Sequence, residues 1–386
     1  MPPPAHPVAA VTHADPYPYY AELVAHRPLY RDAALGLWVA SSADVVTSVM
    51  TSERCRVRPG AEPVPRALLG SPAGDIFRQM VRMNDGPGHA ALKPAVARSL
   101  ETVHGERAAE QSRTWARALS GELSVNDFAF HLPVYVVAGL LGVSPTGLRE
   151  AALWTGDFVW CFSPVATQDQ VERGKAAAAR LWDLVRSLPA AKQAKAADGL
   201  LAALHDEAQR GGRGGPDVVV ANAIGFLFQA YEATAGLIGN TLLALAAHRD
   251  VRERLAGEPR LLRPVLEEVL RHDPPIQNTR RFVARAGPVA GQPMNEGDAI
   301  LVVLAAANRD PLANPEPDRF DVFRSDRRVF TFGAGGHACP GEHLATTIAA
   351  AGVAELLRAG RDPAQIPTRV SYRPSANARV PIFENA

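Results

Sequence analysis

The chain has 386 residues, a formal net charge of +1 and 21% charged residues, a balance that gives no reason to expect nucleic acid or an anionic membrane as partner. This length suits one large domain or two ordinary ones, and three cysteines (Cys55, Cys161, Cys339) without framework spacing point to a reducing cytoplasm. The N-terminus MPPPAHPVAAVTHADP lacks a basic region followed by an apolar run, so neither a signal nor a membrane anchor is expected.

Residues 1–16 read as an irregular lead-in. Tyr17 to His26 is predicted to be a short helix, LYRDAALGLWVASS a strand pair around a glycine, and Asp44 to Ser52 a return to helical spacing. Residues 57–75, rich in Pro, Gly and Ala without a period, read as a long functional or mobile loop. A turn at Asp85-Gly86-Pro87-Gly88 then leads into a helix on which His89 and Lys93 share a face. Such a pair can clamp a carboxylate, although taken alone it is an ordinary solvated face. Residues 105–150 and 170–205 are predicted as amphipathic helices. Between them Trp154, Phe158, Trp160 and Phe162 cluster, as core or as pocket lining. HDEAQRGGRGGPD is a Gly-rich linker, and no internal repeat is present, which excludes a solenoid.

From Pro216 to His248 the pattern is helical and apolar on nearly every side, giving a core helix roughly 50 Å long. Asn222, Gln229, Glu232 and Asn240 interrupt it and favour a buried helix over a membrane span. Glu232 is costly in such surroundings unless it is paired or has chemical work to do. Arg260 to His272 is a further helix, with Glu268 and Arg271 three apart, an ordinary ion pair if read alone. AILVVLAAANRDP (299–311) reads as a buried strand.

The stretch Phe330 to Ala345, FTFGAGGHACPGEHLA, sets Cys339 among glycines before a helical pattern. A thiolate is a soft, strongly donating ligand able to hold a haem iron axially, and glycine allows the close backbone approach that a flat porphyrin requires. Backbone N–H groups and the following helix N-terminus would favour the anionic sulfur. A buried structural cysteine is the plain alternative. The spacing decides between them: F-G-x-G-x-H-x-C-x-G, followed by Leu344 and Ala345, resembles the haem-binding signature of the cytochrome P450 family.

That resemblance implies one domain over residues 1–386 with a mainly α (α+β) cytochrome P450 fold. Its helical bulk carries small β-sheets, and haem is buried between the long central helix and the helix after the Cys loop. Haem b would be held by Cys339, with Phe332 on the porphyrin, Gly341 in the loop, and His337, His89, Lys93 and Arg281 at the propionates. Lys93 replaces the usual arginine and loses its bidentate fork; Arg280 is the alternative to Arg281. QAYEATAGLIGN resembles the oxygen-activation stretch, with Glu232 relaying protons but Ala233 where a threonine is usual. Ala233 has no hydrogen-bonding side chain. Thr234 could substitute by a helix distortion, a substrate group or water could supply the hydroxyl, or the reaction could tolerate altered proton delivery.

Substrate contacts implied are Gln229, Ala230, Ala233, Ile276 and Asn278, with Ala376 and Asn377 at the tip of the terminal hairpin in SYRPSANARVPIF. Glu268 and Arg271, with Arg319 of NPEPDRF, would brace the haem-side core. The implied activity is oxidation of a small organic substrate, in secondary metabolism, using O2 and electrons from an external ferredoxin and ferredoxin reductase. Arg324, Arg327 and Arg328 would form a basic docking face, or equally a solvated turn. Oxidative coupling or cyclisation is the alternative reaction, and a non-catalytic haem-thiolate sensor the alternative class. A cytoplasmic monomer without nucleic-acid or membrane partners is expected.

Overall fold

A computed structural model of the chain describes residues 2–103, 105–163, 165–189, 199–212, 215–366 and 370–384. The predicted helix at 170–205 and the linker at 205–217 therefore lie partly outside the described residues. Two compact units result. One comprises Met1–Ala61, Gly236–Cys339 and Arg361–Ala386, and the other Glu62–Ala235 and Pro340–Gly360.

The first unit carries the strands. The expected pair is β1 (Leu29–Asp32) and β2 (Leu37–Ala40). Oδ1 of Asp32 accepts from the amides of Ala34 and Leu35, each at 3.0 Å, and Gly36 takes φ +66°, which closes the turn. Further strands are β3 (Cys55–Arg56), β4 (Thr279–Val283), β5 (Gly287–Val289), β6 (Gln292–Met294), β7 (Ala299–Val302), β8 (Ser371–Tyr372) and β9 (Pro381–Ile382). Among the described residues one sheet runs β1–β2–β7–β4–β3, with β7 parallel to β2 and antiparallel to β4. β5–β6 and β8–β9 are separate hairpins. Strand alternation buries β7 on both faces. Ile300 and Val302 pack with Val46 and Val49 of the helix Ala43–Thr51, while Leu301 and Val303 pack with Tyr20 and Leu23 of the helix Tyr17–His26.

Two expectations here are corrected. The buried run at 299–311 is strand only to Val302, after which Leu304–Asn308 turns helical. An all-apolar run has no period that separates the two states. The lead-in contains one helical turn, Pro7–Ala10, begun where Nδ1 of His6 accepts the Ala9 amide.

The second unit is helical: Pro72–Gln79, Gly86–Glu101, Glu106–Ser120, Val125–Leu141, Leu148–Trp160, Gln168–Ser187, Leu200–Arg210 and Glu342–Arg358, with the first part of Pro216–Ala247. Local chemistry sets several of their ends. Thr167 and Gln170 form a reciprocal capping box, and Ser124 caps Val125–Leu141, which stops at the left-handed Gly142. Residues 57–75 are less of a loop than composition suggests. Ser71 Oγ accepts the Gly74 amide at 3.3 Å, and Pro72 suits a first helical turn, so a helix starts there. Likewise the Asp85–Gly88 turn is absorbed into the helix beginning at Gly86.

Two of the four clustered aromatics, Phe158 and Phe162, pack with Phe77 and Phe228, while Trp154, Trp160 and Phe162 stay half-buried. Phe162 lies 5.1–5.3 Å, centroid to centroid, from Phe77, Phe158 and Phe228, and Phe158 is fully buried. Pro216–Ala247 is long and apolar enough to cross a membrane, but 61% of its apolar window is buried inside the protein, as a core helix would be.

Candidate functional site

The segment leading to Cys339 is held from beneath by buried asparagines. Asn308 Nδ2 donates to the Leu270 carbonyl at 3.1 Å, and its Oδ1 accepts the Phe330 amide at 2.6 Å. Thr331 Oγ1 reaches the same Leu270 carbonyl at 2.6 Å. Asn314 holds Arg328 through both backbone groups, at 3.0 and 2.9 Å. Both asparagines are fully buried with their amides satisfied, which makes them a rigid footing. Sequence reasoning passed over them; their one signal was a polar residue inside an apolar run and at the head of NPEPDRF.

From that footing the loop closes on itself. The Gly333 amide donates to Phe330 and the Cys339 amide to Phe332, each at 2.8 Å, and Ala338 to Gly335 at 3.0 Å. Gly333 (φ +75°) and Gly335 (φ +67°) lie against the helix Ala43–Thr51: a Cβ would stand 3.0 Å from Met50 Cε or 3.3 Å from Thr51 Cγ2. The positive φ at both positions demands glycine, and the space for a side chain is tight besides. The result is an exposed Cys339 thiol, whereas Cys55 and Cys161 are buried. Burial pushes the thiols of Cys55 and Cys161 up, that of Cys161 to about 12, so neither is suited to metal ligation. Among the described residues no group of three or more His, Cys, Asp and Glu side chains is arranged around a metal ion. An exposed thiol on a glycine-built loop fits a metal that arrives with its other ligands, as in a porphyrin.

Phe332 and His337, both half-buried, share that loop, and Gly341 caps the helix that follows. Arg281 on β4 is 5% exposed and donates from Nη1 to the Arg280 carbonyl at 2.9 Å, while Arg280 points to solvent. His89 and Lys93, also half-buried, lie one turn apart on Gly86–Glu101.

Along the long helix, Ala230, Glu232 and Ala233 are half-buried and Gln229 is exposed, its amide folded back on the Gly225 carbonyl at 2.8 Å. Thr234 is fully buried, and its hydroxyl has no hydrogen-bond partner among the described residues. Thr241, one helical repeat further on, instead bonds the carbonyl four residues back.

Four of the expected substrate contacts are brought together. The terminal hairpin lies on the stretch before β4: Arg379 N–H donates to Pro275 at 2.7 Å, Gln277 N–H to Asn377 at 2.8 Å, and Asn278 Nδ2 to Ala376 at 2.9 Å. Ile276 and Ala378 form an antiparallel bridge between them. Asn278 is thus buried and committed to the hairpin.

The brace around Glu268 departs from expectation. Arg271, fully buried, grips the carboxylate through Nε and Nη2, the latter at 2.6 Å. Arg319 contributes only its carbonyl, 3.0 Å from Arg271 Nη2, and its side chain turns to Glu316 and Asp321. The second guanidinium on Glu268 is that of Arg327, at 2.9 Å, with Arg324 at 3.8 Å. Burial alone would raise the Glu268 carboxyl; Arg271, the Asp321 amide and Arg327 together hold it below its ordinary value. This also corrects the basic docking face. Arg324 and Arg327 keep 11% of their side-chain surface and face inward, and Arg328 alone of the three is exposed.

A family model described as Cytochrome P450 matches residues 175–359. Cytochrome P450 107B1 of Saccharopolyspora erythraea is 32% identical over 281 residues, covering 71% of this chain and 68% of its own length. Vitamin D(3) 25-hydroxylase of Pseudonocardia autotrophica is 30% identical over 343 residues, covering 86% and 83%. The crystal structure of CalO2, 28% identical, superposes with a TM-score of 0.81 over 96% of this chain and 94% of its own. With the exposed thiol and this fold, those similarities settle the assignment: the chain belongs to the cytochrome P450 family, oxidoreductases of the monooxygenase type that carry haem b on a cysteine thiolate.

Proposed function

We propose that this enzyme hydroxylates a small organic substrate of secondary metabolism, drawing electrons from an external ferredoxin and ferredoxin reductase. The observation that carries the reading is the exposed Cys339 thiol on its glycine-built loop. Cys339 would hold the haem iron through its thiolate, Phe332 would pack beside the sulfur, and Gly341 starts the helix that follows. His89, Lys93, Arg281 and His337 would bind the propionates, Lys93 as a single point charge. Haem b, when bound, supplies the iron at which O2, two electrons and two protons yield one oxygen atom in the substrate and one water.

Glu232 passes protons toward that centre. Ala233 brings no hydroxyl, so a substrate hydroxyl or amide, or a water it holds, donates the hydrogen bond a threonine would give. Gln229, Ala230, Ala233, Ile276, Asn278, Ala376 and Asn377 line the substrate site, the Gln229 and Asn278 amides being held by the Gly225 and Ala376 carbonyls, and Thr234 is the buried hydroxyl next to Ala233 that a helix distortion would bring into the catalytic role. A reducing cytoplasm fits three cysteines without the spacing of a disulfide framework, and a monomer is the assembly proposed.

The test is the absorption spectrum of reduced protein with carbon monoxide, for wild type and Cys339→Ser. A Soret band far to the red, lost in the variant, is expected. A band typical of histidine ligation, or no bound haem, overturns the reading. Ala233 favours one second reading, oxidative coupling or cyclisation. Product mass separates the two: a gained oxygen means hydroxylation, and two lost hydrogens mean coupling.

A further inference from the structure

We propose that Gly236 is a positioning residue: the missing side chain sets how closely the terminal hairpin seats on the long helix, and so which ligand sizes the enzyme accepts. The proposal rests on the reading above, in which Ile276, Asn278, Ala376 and Asn377 face the substrate.

Glycine inside a helix costs roughly 1 kcal/mol relative to alanine, so Gly236 and Gly239, three apart on one face of Pro216–Ala247, need a packing reason. The structure supplies it. A Cβ on Gly236 would stand 2.7 Å from Pro275 Cβ and 2.9 Å from the Arg379 carbonyl oxygen. Neither atom can swing aside, since one belongs to a ring and the other to backbone. Asn240, one turn further on, fastens the same seat by donating to the Asp273 carbonyl at 2.8 Å.

Pro275 and Arg379 are also the first rung of the ladder that ends at Asn278 and Ala376. Restoring normal contact at Gly236 requires roughly 0.8 Å of movement, judged from carbon–carbon contact distances. Arg379 cannot absorb it by turning. Its guanidinium is held by the carbonyls of Val11, His13 and Ala14, by Asp273, and by the Tyr372 hydroxyl at 2.7 Å. The displacement therefore runs down the ladder to the four substrate-facing residues. Gly239 meets the ring of Pro381 in the same way, at 2.5 Å, where that residue pairs with Tyr372 at the base of the same hairpin, so both glycines serve the seat.

The experiment uses haem-loaded wild type, Gly236→Ala and, as a helix glycine with open space around it, Gly257→Ala, titrated with imidazole and with 4-phenylimidazole and read by the Soret shift. The ratio of the two Kd values is expected to change on the order of tenfold in Gly236→Ala, as a misplacement near 1 Å would produce, and less than about twofold in Gly257→Ala. An unchanged ratio in Gly236→Ala, or equal changes in both variants, overturns the proposal. Should Gly236→Ala accumulate too little haem protein, Asn278→Ala frees the other end of the ladder, and an unchanged ratio there overturns it too. Failure of the haem reading itself shows separately, as a wild type without the thiolate-type carbon monoxide band before any azole is added.

Discussion

Nε of Arg327 stands 2.9 Å from Oε2 of Glu268, while the guanidinium of Arg319 faces away from that carboxylate toward Glu316 and Asp321. Glu268 is fully buried, so each of its oxygens must be matched by a donor. Arg271 donates to both oxygens and Arg327 to Oε2, with the Asp321 amide on Oε1 at 2.9 Å. The brace thus ties Leu262–His272 to the segment that leads into the Cys339 loop.

Arg327→Ala is therefore expected to lower stability by about 2–3 kcal/mol, the cost of stripping a charged hydrogen bond from a buried carboxylate. Arg319→Ala removes a side chain that is 62% exposed and should cost less than about 1 kcal/mol. Urea unfolding of the two variants decides. Equal losses would return Arg319 to the brace.

Arg379 is 2% exposed and bridges Val11, His13 and Ala14 to Asp273 and Tyr372. Arg379→Met takes the guanidinium from three carbonyls and from Asp273, which keeps only the Tyr17 hydroxyl, for a loss of about 3 kcal/mol or more. Limited proteolysis with mass spectrometry is expected to trim the segment before Tyr17 in the variant and to leave it intact in the wild type.

Burial, with the Arg309 guanidinium alongside, pushes His272 from its ordinary 6.5 down to about 4. Its Nε2 lies 3.1 Å from the Asp318 carbonyl, an acceptor only, so that nitrogen carries the proton of the neutral ring. The unfolded chain takes up a further proton near pH 6.5 and the folded protein only near 4. Stability is full above pH 6.5 and falls, by up to about 3 kcal/mol, as pH drops through that window. His272→Gln keeps a donor for Asp318 without titrating, so its urea midpoint should vary less between pH 7 and 4.5 than that of the wild type. Parallel curves would show that His272 is not the titrating group.

Ala233→Thr tests proton delivery. With a probe substrate that has no hydroxyl, such as 7-ethoxycoumarin, the variant is expected to divert at least about twofold fewer electrons to hydrogen peroxide, because the threonine supplies the missing donor. Peroxide yield per NADPH is the measurement. An unchanged yield, with haem content equal, would mean that position 233 does not face the oxygen-reducing centre.

What the sequence determined by itself was everything encoded by near neighbours. Tyr17–His26 and Pro216–Ala247 follow from apolar period and length, the β1–β2 hairpin from alternation around Gly36, and the Glu268–Arg271 pair from a spacing of three on one helix. The loop that carries Cys339 was legible because positive-φ glycines and a lone cysteine leave a dense local pattern. Tertiary structure decided whatever depends on which distant groups share a desolvated space. Arg319 and Arg327 are both arginines in the same coil, and no local rule says that the later one, 59 residues past Glu268, has its guanidinium buried against that carboxylate. The apolar run after β7 became Leu304–Asn308 because buried Asn308 had to meet Leu270, Thr331 and Phe330 at once. Gly236 reads in sequence only as a weak point in a helix. Its use comes from Pro275 and Arg379, which only the fold brings against it, since close packing is a property of surfaces and periodicity reports just one of the two.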